Sequence, residues 1–140
     1  MIEVHRIYRF CASHVLARED WSREKNQEQF GSASNPSGHG HNYRLTVVVG
    51  GMPDSETGRV VDFDHLDSMV NQHVLKVYDH KNMNKDVPTL RGSIPTLEVA
   101  LRDIWDRMED ALPEGRLLEV RLQQDEFTVA VYRGAHPRNV

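Results

Sequence analysis

The sequence predicts an α+β domain in which four antiparallel strands form one sheet and two helices cover one of its faces. Three observations support this fold class. Apolar residues alternate with polar ones near both ends of the chain, as in half-buried strands. Two central segments instead repeat apolar residues at the spacing of an amphipathic helix. The last two strand-like runs are separated by a short polar connection, which is typical of a hairpin.

The first predicted strand covers residues 2–14. Successive side chains of a strand point to opposite faces, so Phe10 and Ala12 share a face with His14. Cys11 falls on the other face. There we expect a small packing residue rather than a metal ligand or a nucleophile.

A polar stretch, residues 17–38, leads to the second predicted strand, residues 41–49. Its first part predicts a short helix, and the part from Gly31 to Gly38 has the composition of a loop. A loop of this length in a compact domain is usually functional or disordered. Because it delivers the chain to His39, we expect a functional loop.

The first predicted helix spans about 64–78, with Asp62 or Asp64 as its N-terminal cap. His65 and His73 share one stripe of this helix with an apolar residue between them. Such a stripe is most often a helix edge, so neither histidine is assigned any chemistry.

The second predicted helix spans about 97–111, with Thr96 as its cap. Glu98 lies in its first turn, where the helix dipole favours a carboxylate, and that placement alone accounts for Glu98. Two strands then follow, residues 117–124 and 127–132, joined as a hairpin. A four-stranded sheet leaves exposed edges, which association between subunits would cover.

Length and composition narrow the class of protein. A chain of 140 residues predicts one domain, 1–140, and the net charge of −4 disfavours a general nucleic-acid-binding role. No apolar run is long enough to cross a membrane, and the N-terminus lacks the layout of a signal peptide. The single cysteine excludes an intrachain disulfide. A cytoplasmic protein is therefore expected.

The segment from Gly38 to Tyr43 predicts a metal site, because His39 and His41 point to the same side of a strand. Their Cβ atoms would lie roughly 6–7 Å apart, and Gly40 between them leaves the approach open. His14, at the end of the first strand, is the best third ligand. Three imidazoles with one open position are typical of a catalytic zinc site. The alternative is that these histidines are ordinary polar residues at strand ends.

Asp79 and His80 follow the first predicted helix. A carboxylate next to a histidine in a loop is either an exposed surface pair or an oriented acid–base pair. The spacing does not choose between these two interpretations.

Several segments, taken together and in order, carry a family resemblance: residues 10–14, 30–31, 35–43, 58–63, 79–82, 96–98 and 131–134. The chain closely resembles 6-pyruvoyl-tetrahydropterin synthases over nearly its whole length. The long loop after His14 and the Asn-Pro-Ser-Gly sequence before His39 are more similar to the animal-type synthase. The shorter bacterial relative, 6-carboxytetrahydropterin synthase, is the less similar of the two.

The resemblance implies a tunnelling fold, in which three subunits join their sheets into a barrel and two barrels stack into a homohexamer. It implies zinc on His14, His39 and His41, with a pterin substrate held between subunits. The implied reaction converts 7,8-dihydroneopterin triphosphate to 6-pyruvoyl-tetrahydropterin by eliminating triphosphate and shifting hydrogens. Further implied roles fall on five residues: Asp79 and His80 as the acid–base pair, and Thr96, Glu98 and Gln124 as substrate-binding residues.

The chain departs from the family at two functional positions. Ala33 stands where the family has its catalytic cysteine, and Gln124 stands where a glutamate anchors the pterin ring. A glutamine offers one acceptor and one donor in place of two acceptors, so it favours a different ring or weaker binding. A shifted hairpin register would bring Asp125 or Glu126 into that place.

Three hypotheses follow from these residues. The first is a zinc-dependent pterin lyase that uses Asp79 and His80. The second is a catalytically impaired or re-purposed zinc-containing homologue that binds a pterin or another heterocycle, or else an enzyme of the 6-carboxytetrahydropterin synthase type. The third is an intracellular domain whose histidines only pack.

Overall fold

The computed structural model describes residues 1–135 as one sheet with helices against one face. The strands are β1 (Ile2–His14), β2 (His39–Gly51), β3 (Lys81–Asn82), β4 (Leu117–Gln123) and β5 (Val129–Tyr132). The helices are α1 (Arg23–Phe30), α2 (Phe63–Val70), α3 (Lys76–Tyr78), α4 (Met83–Asp86) and α5 (Leu97–Ala111). The predicted α+β class is confirmed, and the tail beyond residue 135 lies outside the described residues.

Strands β1 and β2 pair antiparallel along their whole length, from Ile2 opposite Gly51 to His14 opposite His39. This register places His41 opposite Ala12, which is two residues before His14 and on the same face of β1. The pairing of the two longest strands thus fixes how the three predicted metal ligands meet.

The predicted hairpin is confirmed, with a longer connection than expected. β4 pairs with both β2 and β5, and the strand order across the sheet is β3-β1-β2-β4-β5. β5 begins at Val129, because Asp125 turns the chain by accepting a hydrogen bond from Phe127 N at 2.8 Å. The Gln124 N–H then bonds to Thr128 O at 3.1 Å and closes the turn.

The sheet has five strands and not the predicted four, because β3 adds to the free edge of β1. This short strand runs parallel to β1, with Lys81 opposite Ala12 and Asn82 opposite Ser13. Its two residues are too few to show any alternation in the sequence. Its consequence is that residues 79 and 80 are held against β1.

The helix predicted over 64–78 is observed as α2, a π-helical stretch from Asn71 to Leu75, and α3. Asp62 is its cap, since Asp62 Oδ1 accepts hydrogen bonds from Asp64 N at 3.0 Å and His65 N at 3.3 Å. The second predicted helix matches α5, and the predicted short helix in the polar stretch is α1.

The core lies between the helices and the face of the sheet that carries Phe10 and Tyr43. These two rings stack at 5.1 Å between centroids, directly below the histidines on the same two strands. The apolar stripe of α5 covers this face, as the sequence predicts. We call the other side of the sheet, which no helix covers, the open face. Within residues 1–135, no helix is long and apolar enough to cross a membrane.

Candidate active site and metal centre

His14, His39 and His41 meet in one cluster, as the strand alternation predicts. Each offers a ring nitrogen, and these nitrogens all lie within 4.8 Å of one another. The Nε2 atoms of His14 and His39 are 3.0 Å apart. Two ligands of a tetrahedral zinc ion at about 2.05 Å would have nitrogens about 3.3 Å apart, so the spacing suits a shared ion.

Gly40 is required between His39 and His41 by the packing of the two strands. A Cβ atom at Gly40 would lie 3.1 Å from the backbone oxygen of Ala12, closer than side chains normally approach. The glycine therefore lets β2 lie tightly against β1 at the point where the histidines converge.

The orientation of His14 is set by a backbone carbonyl of the segment that leads into α5. Its Nδ1 atom lies 2.8 Å from Pro95 O, just before α5, and the side chain is almost fully buried. Because a carbonyl only accepts, Nδ1 carries the proton and Nε2 presents its lone pair to the cluster. A histidine metal ligand is commonly held in this way.

The electrostatics of the cluster favour neutral imidazoles. Burial lowers the pKa of His14, which the hydrogen bond to Pro95 O only partly opposes. Burial also lowers the pKa of His41, helped by the neighbouring His39 and opposed by Asp125. His39 Nδ1 and His41 Nε2 are buried without a hydrogen-bond partner among residues 1–135. Neutral, converging nitrogen donors with unsatisfied atoms fit a zinc ion.

Asp79 and His80 are paired by a hydrogen bond, with His80 Nδ1 at 3.0 Å from Asp79 Oδ1. Asp79 Oδ1 also accepts a hydrogen bond from Cys11 N at 3.0 Å, and this bond is the main cause of a lowered pKa for that carboxyl. The backbone N–H of His80 donates to Cys11 O at 2.7 Å. Residue 11 thus holds both members of the pair in place.

The His80 side chain projects outward and is 80% exposed. Its backbone has φ of +60°, the left-handed conformation that residues with a Cβ rarely adopt. The resulting turn directs the ring away from the sheet edge and towards solvent. The structure therefore groups His80 with Asp79 and Cys11, apart from the buried His14 and the half-buried His39 and His41.

Two neighbouring cavities meet at Cys11, Asn42 and His80. One has a volume of about 590 Å³ and is also lined by Arg9, Arg44 and the hairpin residues Gln123, Asp125 and Glu126. The other has a volume of about 490 Å³ and reaches His41. Both volumes lie in the range of small-molecule sites.

Cys11 is the site residue that sequence reasoning missed. Its predicted place on the face away from His14 agrees with the alternating burial along β1, but Cys11 is half-buried and lines both cavities. It lies within reach of Asp79 and His80, outside the apolar core. The alternation of side chains along β1 predicted the correct face for Cys11, but it did not predict which residues pack against that face.

The predicted substrate-binding residues lie in different places. Thr96 is half-buried and caps α5, its Oγ1 accepting a hydrogen bond from Val99 N at 3.2 Å, and Glu98 is exposed in the first turn. Neither lines the two cavities described above. Gln124 lies in the hairpin turn, and it is Gln123 and Asp125, its neighbours, that face the larger cavity.

Ala33 lies in a short 3-10 turn, Gly31–Ser34, that follows α1. Its carbonyl accepts a hydrogen bond from Leu16 N at 2.9 Å, two residues beyond His14. This hydrogen bond holds the 3-10 turn close to the three histidines. The hydroxyl of the neighbouring Ser34 donates its proton to Gly31 O at 2.7 Å.

Comparison with known proteins gives a consistent result. The family model for 6-pyruvoyl tetrahydropterin synthase matches residues 3–135. The 6-pyruvoyl tetrahydrobiopterin synthase of Pongo abelii is 38% identical over 132 residues, covering 94% of this chain and 91% of that protein. The 6-carboxy-5,6,7,8-tetrahydropterin synthase of Bacillus subtilis is 26% identical, covering 94% of this chain and 84% of that protein.

Among solved structures, the 6-pyruvoyl tetrahydropterin synthase of Caenorhabditis elegans superimposes with a TM-score of 0.89. The two chains are 29% identical, and the match covers 96% of each. The fold described above is thus shared along almost the whole chain.

Proposed function

Because this chain belongs to the 6-pyruvoyl tetrahydropterin synthase family, whose named members are lyases, we propose that it acts on 7,8-dihydroneopterin triphosphate. The reaction eliminates triphosphate and shifts hydrogens from the side chain to the ring, giving 6-pyruvoyl-tetrahydropterin. The observation that carries the proposal is the convergence of three imidazoles, one of which, His41, lines the same cavity as His80. The greater identity to the animal-type synthase favours this product over that of the 6-carboxy enzyme.

Zinc is the cofactor in this proposal, held by His14, His39 and His41. A bound zinc ion polarises substrate hydroxyls and acidifies the neighbouring C–H bond. The protein's own part is to keep the imidazoles deprotonated, which burial does, and to fix their directions. Pro95 O fixes His14, and the absence of a side chain at Gly40 fixes the separation of the strands.

Asp79 and His80 are the proposed acid–base pair. An ionised Asp79 accepts from Nδ1 of His80, so Nδ1 carries a proton and Nε2 is left as the acceptor. That nitrogen belongs to an exposed ring at a cavity wall, where it can take a proton from a substrate carbon and return it elsewhere. Asp79 then stabilises the imidazolium that forms.

Substrate contacts are proposed at the hairpin and at the start of α5. Gln124 remains the candidate for the pterin ring, and Thr96 and Glu98 complete the predicted set. Asp125 supplies a carboxylate at the cavity wall, one residue from Gln124. A ring NH and amino group that require two acceptors would find them there.

We also propose that the active form is a homohexamer built from two barrels and that it works in the cytoplasm. Support for assembly comes from the sheet, which ends in β3 on one side and β5 on the other. Apolar side chains are exposed beside the β5 edge, with Phe127 86% and Val129 50% exposed. A second copy of the sheet would cover them.

A second candidate function is a homologue that keeps the pocket and the metal ligands but lacks a base. Ala33 is the observation that favours it, because losing a positioned acid–base group typically costs about 10²–10⁴-fold in rate. This protein would bind a pterin without turning it over.

The deciding experiment is turnover of 7,8-dihydroneopterin triphosphate by zinc-loaded protein, with release of inorganic triphosphate and formation of the 6-pyruvoyl product measured separately. The proposal expects both, in equal amounts. Pterin binding without either product would favour the second candidate. Formation of a 6-carboxy product would assign the chain to the bacterial-type reaction instead.

A further inference from the structure

Arg9 and Arg44 lie directly opposite each other where β1 pairs with β2. Both side chains are exposed on the open face of the sheet. Cβ atoms of directly opposed residues in an antiparallel pair are about 4.5–5.5 Å apart. The two guanidinium groups can therefore contact the same ligand.

This arrangement is electrostatically unfavourable on its own, because like charges directly opposite each other on a sheet are destabilising. Some arginines of the chain have carboxylate partners on or beside the sheet: Arg6 pairs with Asp67 at 2.8 Å, and Arg121 pairs with Glu119. Among residues 1–135, neither Arg9 nor Arg44 forms an ion pair with any carboxylate. An anion between them would remove the repulsion.

The two arginines line the 590 Å³ cavity that also contains Cys11, Asp79 and His80. Asn42 and Gln123 add neutral polar groups to its wall, and Gln123 is the cross-strand partner of Arg44. The cavity therefore has two cationic groups on its floor, next to the proposed acid–base pair.

Three carboxylates line the same cavity, and two of them are already engaged. Asp79 accepts from Cys11 N and pairs with His80, and Asp125 accepts from Phe127 N. The acidic residues of the hairpin and the two arginines thus line one cavity, with Arg44 opposite Gln123 where the hairpin turn begins. A ligand with a hydrogen-bond-donating ring and a polyanionic tail matches this distribution of charge.

We propose that Arg9 and Arg44 bind a polyphosphate, which in the proposed function is the triphosphate of the substrate and then the released triphosphate. Planar guanidinium groups bind phosphate oxygens through paired hydrogen bonds, and two of them can hold a chain of three phosphates. The identification of the anion rests on the proposed function. The positions of the two arginines and of the cavity that they line do not depend on the proposed function.

The test is calorimetric titration of the zinc-loaded protein with inorganic triphosphate. The variants are Arg9→Gln, Arg44→Gln and the double variant, with Arg102→Gln on α5 as the matched control. Triphosphate also chelates zinc, but that contribution is the same in all five proteins. We expect each single variant to bind at least 10-fold more weakly and the double variant to show no saturable binding, with Arg102→Gln unchanged.

Unfolding provides a second measurement. Because the arginines repel each other in the absence of an anion, Arg9→Gln and Arg44→Gln should have a Tm equal to or above that of the wild type. Triphosphate should raise the Tm of the wild type and of Arg102→Gln most, that of each single arginine variant less, and that of the double variant not at all.

The outcomes separate this proposal from the proposed function. Triphosphate binding that depends on both arginines supports the cation pair even if no pterin is turned over. Equal binding in the wild type and both arginine variants, or no binding by the wild type, overturns it. Turnover of the pterin triphosphate with an unchanged KM in the double variant also overturns it, and leaves the proposed function standing.

Discussion

The chain places its candidate chemistry in two regions that differ in almost every physical property. His14, His39 and His41 converge at the end of the two longest strands, and His14 is almost fully buried. Asp79 and His80 follow a helix, and the His80 ring is 80% exposed. The pairing of β1 with β2 positions the side chains of the first region, and the turn at His80 positions those of the second.

This difference indicates a division of labour. Converging imidazole nitrogens are suited to hold a metal ion, and burial lowers the pKa of His14 and of His41 and so favours their deprotonated forms. An exposed imidazole paired with a carboxylate is suited to move protons, because it can change charge without a large desolvation penalty. The predictions below separate the two regions, from the largest expected effect to the smallest.

Replacing a histidine of the buried cluster should have the largest effect. For His39→Ala we expect turnover to fall at least about 10³-fold, because the reaction loses its Lewis acid. Turnover and circular dichroism melting would be measured together. The matched control is His65→Ala, an exposed helix residue that should leave both unchanged. If His39→Ala keeps near-normal turnover, the buried cluster does not hold the reacting group.

Replacing the exposed pair should slow turnover while leaving the metal bound. We expect His80→Ala to reduce kcat about 10²–10⁴-fold, with a zinc content equal to that of the wild type. Asp79→Asn should have a smaller effect in the same direction, because the imidazole remains but loses its partner. A loss of zinc in His80→Ala would contradict the separation of the two regions.

Ala33→Cys tests whether the fastened loop beside the metal cluster lacks a reactive group. We expect a gain in kcat on the order of 10²-fold if the thiol restores a missing acid–base group. The control is Ala33→Ser, whose hydroxyl is a poor base without an activator. No gain, even when Gln124→Glu is added, would indicate that the site takes a different ligand.

The smallest predicted effect is on stability at acid pH. The pKa of Asp79 is lowered in the folded protein, so its contribution is present above the usual carboxyl value of 3.8 and is lost as the pH falls through the lower folded value. Urea unfolding midpoints of wild type and Asp79→Asn should therefore differ slightly at pH 7 and converge below pH 3.8. A difference that grows on acidification would contradict this role.

Strand alternation predicted that His39 and His41 share one side, and the family resemblance supported His14 as the third member of the cluster. His39 and His41 are two residues apart on a strand, and a β1–β2 pairing that runs to the strand ends brings His14 to them. The sequence also predicted α5 and its Thr96 cap, because a long apolar stripe and a capping residue are both local signals.

The surroundings of Asp79 and His80 could not be predicted, because they depend on contacts distant in sequence. β3 is two residues long, and its parallel pairing with β1 follows from tertiary structure alone. The left-handed turn at His80 and its bonds to Cys11 likewise leave no periodic signal. For this reason the sequence placed Cys11 on the correct face of β1 but did not predict that it lines the two cavities.

The zinc content of the purified wild-type chain tests the central claim most directly, because both regions are interpreted around a metal ion in the buried cluster. Elemental analysis after extensive dialysis should give about one zinc per chain, bound by three imidazoles. A well-folded protein that contains no zinc, and takes up none when it is supplied, would contradict the account.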